Sequence, residues 1–308
     1  MRKLSVQQLE CCLRGALVTF CYIGHLFGFA LNVHAQHPID IQRASAAGEH
    51  FQAIVFAEKM PKRVATYDSS IALAKSAWAL GLNQRAFEEF DRILRSYKLD
   101  PEEKARIQVS KAILVFQEGR YQEAALHAEQ ALREIGQVET LQTLSSKAHF
   151  VLGESFSKQD ALGRAEEHFG LALDGAIEAE RPQIHYSLGA LQLKLGKFDA
   201  AKSHFEQIPV NHELTPRAIR GLAEVHLELG RPEAVTFWLN KARKEYPDNF
   251  LDSWVDYALM RSAIQRGQEE EVQSLREQVA NRLPPSDPWV VLLNAAAEAH
   301  AWSRRQKE

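Results

Sequence analysis

The sequence predicts an all-α fold, a solenoid of about seven antiparallel helix pairs closed by one C-terminal helix. Three observations predict it. Small and large apolar residues return with a period of about 33 to 41 residues. Within each period they are spaced three or four places apart, which puts them on one helical face. No stretch shows the period-two alternation of a strand.

The first residues stand apart from that pattern. Arg2, Lys3 and Arg14 precede Gly15 to Leu31, a run of about 17 residues that is apolar except for Thr19 and His25. Val33-His34-Ala35 then offers small or tolerated side chains before a cut between Ala35 and Gln36. This layout predicts a signal peptide over residues 1–35, and hence export to the periplasm of a Gram-negative bacterium. An uncleaved inner-membrane anchor is the alternative, since a spanning helix needs roughly 20 apolar residues. Phe20 directly before Cys21 argues against lipidation, which requires small residues there. Cys11, Cys12 and Cys21 all lie in this leader, so the exported chain would lack thiol nucleophiles, disulfides and thiolate metal sites.

The repeat array is expected over residues 36–287, with each unit read from its small residues. Gly48, Ala53 and Ala57 mark a degenerate first unit. Leu73-Ala74, Gly81, Ala86 and Phe90 mark the second, and Ala112, Gly119, Ala124, Ala128 and Ala131 the third. Leu152-Gly153, Ala165, Phe169 and Ala172 follow, and the loop around Asp160 reads as an insertion. Then come Leu188-Gly189, Gly196, Ala201 and Phe205, and after them Leu222-Ala223, Gly230, Val235, Leu239, Ala242 and Pro247. Leu259, Gly267, Val272 and Val279 close the series. Small residues let paired helices approach, glycine breaks the chain between them, and the large residue fills the gap. Asp100-Pro101, Thr215-Pro216 and Asp287-Pro288 each place a capping side chain before a proline suited to the first helical position. Residues 288–308 read as a capping helix and tail, because the last unit of a stack needs a terminal cover. Trp289 and Trp302 at its ends make self-association the sharper alternative.

This column of Leu-Gly, Gly, Ala, large apolar, Ala and sometimes Pro resembles the tetratricopeptide repeat, most clearly over 145–178, 181–214 and 215–248. The resemblance implies a right-handed superhelix whose first helices line a concave groove. Carried over residue by residue, the groove positions are Lys75 and Trp78; Arg106, Val109, Ile113 and Phe116; Lys147, Phe150, Glu154 and Lys158; and Tyr186, Ala190 and Lys194. Arg217, Arg220, Glu224, Trp254, Tyr257 and Arg261 complete the set. Basic residues outnumber acidic ones there, which suits a peptide with acidic groups or a free C-terminal carboxylate. The asparagine-lysine clamp of chaperone-binding members is not reproduced, so that partner is not implied.

Reaction chemistry is harder to find. The sequence holds no His-Glu-x-x-His, Gly-x-Ser-x-Gly, Walker loop or Gly-x-Gly-x-x-Gly. His127, His168 and His204 occupy one column, with Trp238 next in line, about 10 Å apart for packed helix pairs and too far to share an ion. Packing at the edge of second helices is expected of them, and a pH-sensitive ladder is the alternative. Glu166-Glu167 and Glu269 to Glu271 read as solvated helix faces. A formal charge of −3 gives no reason to expect nucleic acid. Catalysis and a cofactor are not expected. The expectation is an exported scaffold that binds a protein or peptide in a cell-envelope complex, with a His/Glu enzyme or a membrane-anchored assembly factor as alternatives.

Overall fold

A computed structural model describes residues 37–136 and 138–306; the signal-peptide and anchor expectations fall outside them, as do the three cysteines. Those residues form fifteen α-helices and no strand. Among them, no helix is long and apolar enough to cross a membrane. They divide into two compact units, one ending at Tyr97 and one starting at Lys98.

In the first unit, α1 (Pro38–Ala46) pairs with α2 (His50–Lys59), and α3 (Tyr67–Ala79) with α4 (Asn83–Ser96). Ile41, Ala53, Leu73, Ala74, Phe90 and Ile93 are buried between them. Thr66 starts α3 through a reciprocal cap: its hydroxyl accepts from the Ser69 amide at 3.2 Å, and the Ser69 hydroxyl accepts from the Thr66 amide at 2.9 Å. The Tyr97 hydroxyl closes the unit by donating to the Ala65 carbonyl at 3.1 Å.

The second unit holds five further pairs. These are α5 (Pro101–Gln117) with α6 (Tyr121–Ile135), α7 (Gln142–Lys158) with α8 (Leu162–Gly175), and α9 (Arg181–Lys194) with α10 (Phe198–Glu206). Then α11 (Thr215–Glu228) pairs with α12 (Pro232–Glu245), and α13 (Ser253–Gln265) with α14 (Glu269–Arg282). The last helix, α15 (Pro288–Arg305), packs on α13 and α14 through Val290, Leu293 and Ala297, while Val291, Leu292 and Trp302 stay exposed.

All seven pairs turn in the same way. Three residues separate the helices, and the middle one has positive φ: Gly48, Gly81, Gly119, Gly196, Gly230 and Gly267 at 63–79°, and Asp160 at 61°. In every turn the amide after that residue reaches back five positions, as Leu82 does to Ala77 (2.9 Å) and Ala161 to Phe156 (2.9 Å). This double-bonded C-terminal cap requires a left-handed residue, which is why glycine recurs. The segment around Asp160 is therefore no insertion. It is the common turn with aspartate in the glycine position, a residue that tolerates this backbone better than most.

Small first-helix residues seat the rings of second helices, as the repeat pattern predicts. A Cβ added at Gly153 would lie 2.5 Å from the Phe169 ring, and one at Gly189 would lie 2.7 Å from Phe205. Phe205 also lies against Gly221 of the next pair, where a Cβ would come within 2.5 Å. Asp100 and Asp287 cap α5 and α15 as expected, accepting from the Glu103 and Trp289 amides at 2.8 Å each. Thr215 differs. It is the first residue of α11 and does not cap it; its hydroxyl donates to the Pro209 and His212 carbonyls at 2.8 and 2.7 Å, pinning the loop before the helix.

Candidate binding surface

On the first helices of the second unit, side chains three or four places apart line two hollows on either side of α9. The first, about 430 Å³, is mostly apolar. Ile113 and Phe116 come from α5, Phe150 and Val151 from α7, and Ile184 from α9. Phe150 rests on Phe169 with ring centres 5.8 Å apart, and Phe116 on Tyr121 at 5.3 Å. At its polar edge Lys147 meets Glu180 at 3.1 Å, and Glu154 accepts from the Ser187 hydroxyl at 2.5 Å.

The second hollow, about 660 Å³, carries the charge. Tyr186, Ala190 and Lys194 of α9 face Arg217, Arg220, Glu224 and Glu228 of α11, with Phe205 at its floor. Tyr186 leans on Phe205 at 6.1 Å. Lys194 is held by Asp160 at 2.5 Å. Arg220 donates to Asp252 at 2.5 Å and to the Asn249 carbonyl at 2.6 Å, and lies 4.7 Å from the Trp254 ring centre. Burial alone would raise the Asp252 carboxyl; the bonds from Arg220 and from the Val255 and Trp254 amides hold it below its usual range. Glu224 has the opposite balance, with a carboxyl raised first by desolvation and then by the charge of Glu228.

The structure thus brings Ile113, Phe116, Lys147, Phe150 and Glu154 into one hollow, and Tyr186, Ala190, Lys194, Arg217, Arg220 and Glu224 into the other. Trp254 joins through Arg220. Tyr257 and Arg261 line a separate hollow against α15, where Tyr257 meets Trp289 at 6.1 Å. Arg106 is exposed and pairs with Glu102 on its own helix. Lys75 and Trp78 belong to the first unit.

The charge of this surface differs from the bare sequence count. Arg106, Lys147, Lys194, Arg220 and Arg261 are paired with Glu102, Glu180, Asp160, Asp252 and Glu228. None of those five acids belongs to the groove positions carried over from the repeat pattern, because most come from loops and helix ends. Within the second hollow Arg217 is exposed and makes no such pair among the described residues, which leaves its charge available to a ligand.

The histidine column also acquires partners that the sequence reading missed. His168 meets His149 across its own hairpin, Nδ1 to Nδ1 at 3.0 Å, and His204 meets His185 in the same way at 3.1 Å. His127 has Gln108 in the equivalent place at 3.0 Å. The offset is 19 residues each time, a recurrence that was present in the sequence but invisible to a search along one column.

Helical hairpins of one turn type, stacked through small residues and rings, define an α-helical repeat protein. The family model described as "Tetratricopeptide repeat" matches residues 71–139 and 186–250. Those two stretches carry tetratricopeptide repeats. No curated protein matches it in sequence. Among solved structures it is similar to a tetratricopeptide repeat protein from Parabacteroides merdae, at 16% identity and a TM-score of 0.56, over 78% of this chain and 88% of that one. It is similar to YrrB, described as having an unusual peptide-binding site, at 14% identity and 0.55, over 68% and 99% of the two chains. It is also similar to PilW, described as a type IV pilus biogenesis factor, at 18% identity and 0.54, over 67% and 90%.

Proposed function

We propose that this protein is an exported, non-enzymatic scaffold that holds a segment of a protein partner against the two hollows flanking α9. The observation that carries the reading is their adjacency: an apolar socket lined by Phe116 and Phe150 beside a charged one containing the exposed Arg217. A segment with an apolar side chain followed by an acidic group or chain terminus fits both. The hollows are framed by helices, so little of the binding free energy is lost to ordering them. The peptide site described for YrrB and the pilus role described for PilW, on the same fold, support a binding role and agree with assembly or maintenance of an envelope complex.

Capture experiments with an extract of the source cell test the surface. Arg217→Glu and the pair Phe116→Ala/Phe150→Ala are each expected to lose the specific partner while keeping the wild-type helical signal. Unchanged recovery with both variants would remove these hollows from the site. Export is tested separately: the mature chain is expected to begin at Gln36, and a chain retaining residues 15–31 in the membrane fraction would replace the periplasmic scaffold with an anchored one.

A further inference from the structure

We propose that the two histidine pairs, His149–His168 and His185–His204, are twin sites for a divalent transition-metal ion of the zinc, nickel or copper class, each ion held by two imidazole nitrogens from the two helices of one hairpin. The donors are of the right type, since neutral imidazole is the common ligand of these metals. Their spacing also fits. Two nitrogens about 2.0–2.1 Å from one ion are roughly 2.9 Å apart at a right angle and roughly 3.3 Å apart at a tetrahedral angle. The observed separations, 3.0 and 3.1 Å, fall between those limits in both hairpins.

The rings are held in place before any ion arrives. His168 lies between His149 (centres 5.2 Å apart, planes at 24°) and Phe156 (5.4 Å, 22°), and the Arg164 guanidinium covers the Phe156 ring at 3.7 Å. His185 and His204 are packed at 5.4 Å. Burial pushes all four imidazoles below their usual range, His149 to about 4, so all four are neutral at pH 7 and free to ligate. Without metal, one Nδ1–H donates to the other's bare Nδ1; moving that proton to the far nitrogen exposes both lone pairs with no net proton release.

Among the described residues no group of three or more His, Cys, Asp or Glu is arranged to hold a metal ion, so solvent would complete each coordination shell. All four rings are only partly buried, which leaves room for that solvent. The surroundings rank the pairs. The Glu167 charge acts on both His149 and His168, and at His168 Glu167 and Glu129 together oppose the single charge of Arg164; at His185 the one acid, Glu178, opposes Arg181, so the first pair favours a cation more.

The test is calorimetric titration of the full chain with Zn²⁺ ions alone, after alkylation of Cys11, Cys12 and Cys21 to remove competing thiols. The wild type is expected to bind two more ions per chain than His168→Phe/His204→Phe, in which phenyl rings keep the stacking but remove the ligands. His168→Phe is expected to lose the tighter of the two. Equal stoichiometry in wild type and double variant would overturn the proposal. If the variants do not fold, X-ray absorption at the zinc edge of the wild type decides it: two imidazoles per ion are expected, and one or none would overturn it.

Discussion

At Phe205 a single ring fills the space left by two glycines, Gly189 in its own hairpin and Gly221 in the next. Truncation to alanine would open a cavity at both seams, so Phe205→Ala is expected to cost about 3–5 kcal/mol in chemical denaturation. The reverse change is costly too: Gly189→Ala drives a Cβ into that ring and should cost about 1–3 kcal/mol, since Phe205 has no free direction to move. Both residues were legible in the sequence as members of a small–large column. The histidine pairs were not, because each partner lies on the other helix and only the geometry of a packed hairpin brings the two Nδ1 atoms within 3.0–3.1 Å. Their effect on stability has a definite sign. Burial lowers their folded-state pKa, to about 4 for His149, while an unfolded imidazole stays near 6.5. The stability they contribute is therefore complete above roughly pH 6.5 and is lost as pH falls from there through their lowered folded-state values. Metal-free wild type should accordingly lose denaturant resistance between pH 7 and pH 5 by more than His168→Phe/His204→Phe does; parallel profiles would show that the pairs are not the titrating groups.

At the scale of the hairpin, the turn is the most repeatable element of the chain and the one the sequence announced most clearly. Six of the seven turns place glycine at positive φ. Replacing Gly230 by alanine forces a side chain into the left-handed region and should lower the stability of the second unit by about 1–2 kcal/mol. Asp160→Gly makes the opposite change. It relieves backbone cost while giving up the surface pair with Lys194, worth about 0.2–1 kcal/mol at most, and the melting temperature is expected not to fall. The sequence pattern misjudged this segment because it ranked residues by the absence of glycine, whereas the backbone geometry is what the turn conserves. The groove charges were misjudged for a related reason. Helical periodicity reports which residues share a face, but the acids that neutralise Lys147, Lys194 and Arg220 arrive from Glu180, Asp160 and Asp252 beside that face.

Across the whole molecule, hairpins related only by contact with their neighbours share stability in nearest-neighbour terms. In the second unit one buried charge adds to those contacts. Asp256 on α13, 3% exposed, accepts from Arg243 of α12 at 2.5 Å and from Arg282 of α14. Asp256→Ala leaves two arginines without their shared partner and is expected to cost about 3–5 kcal/mol, read as early loss of hydrogen-exchange protection in α12 to α15 before the preceding hairpins open. The seam at Phe205 also limits how the chain can be shortened. A fragment ending after α10 would leave that ring bare on the side where Gly221 belongs, offering a greasy plug to any other chain with a flat, small-residue patch. A cut between hairpins, tidy on a map of repeats, would thus trade a covered seam for a sticky one, and a useful fragment must carry α11 along as its lid.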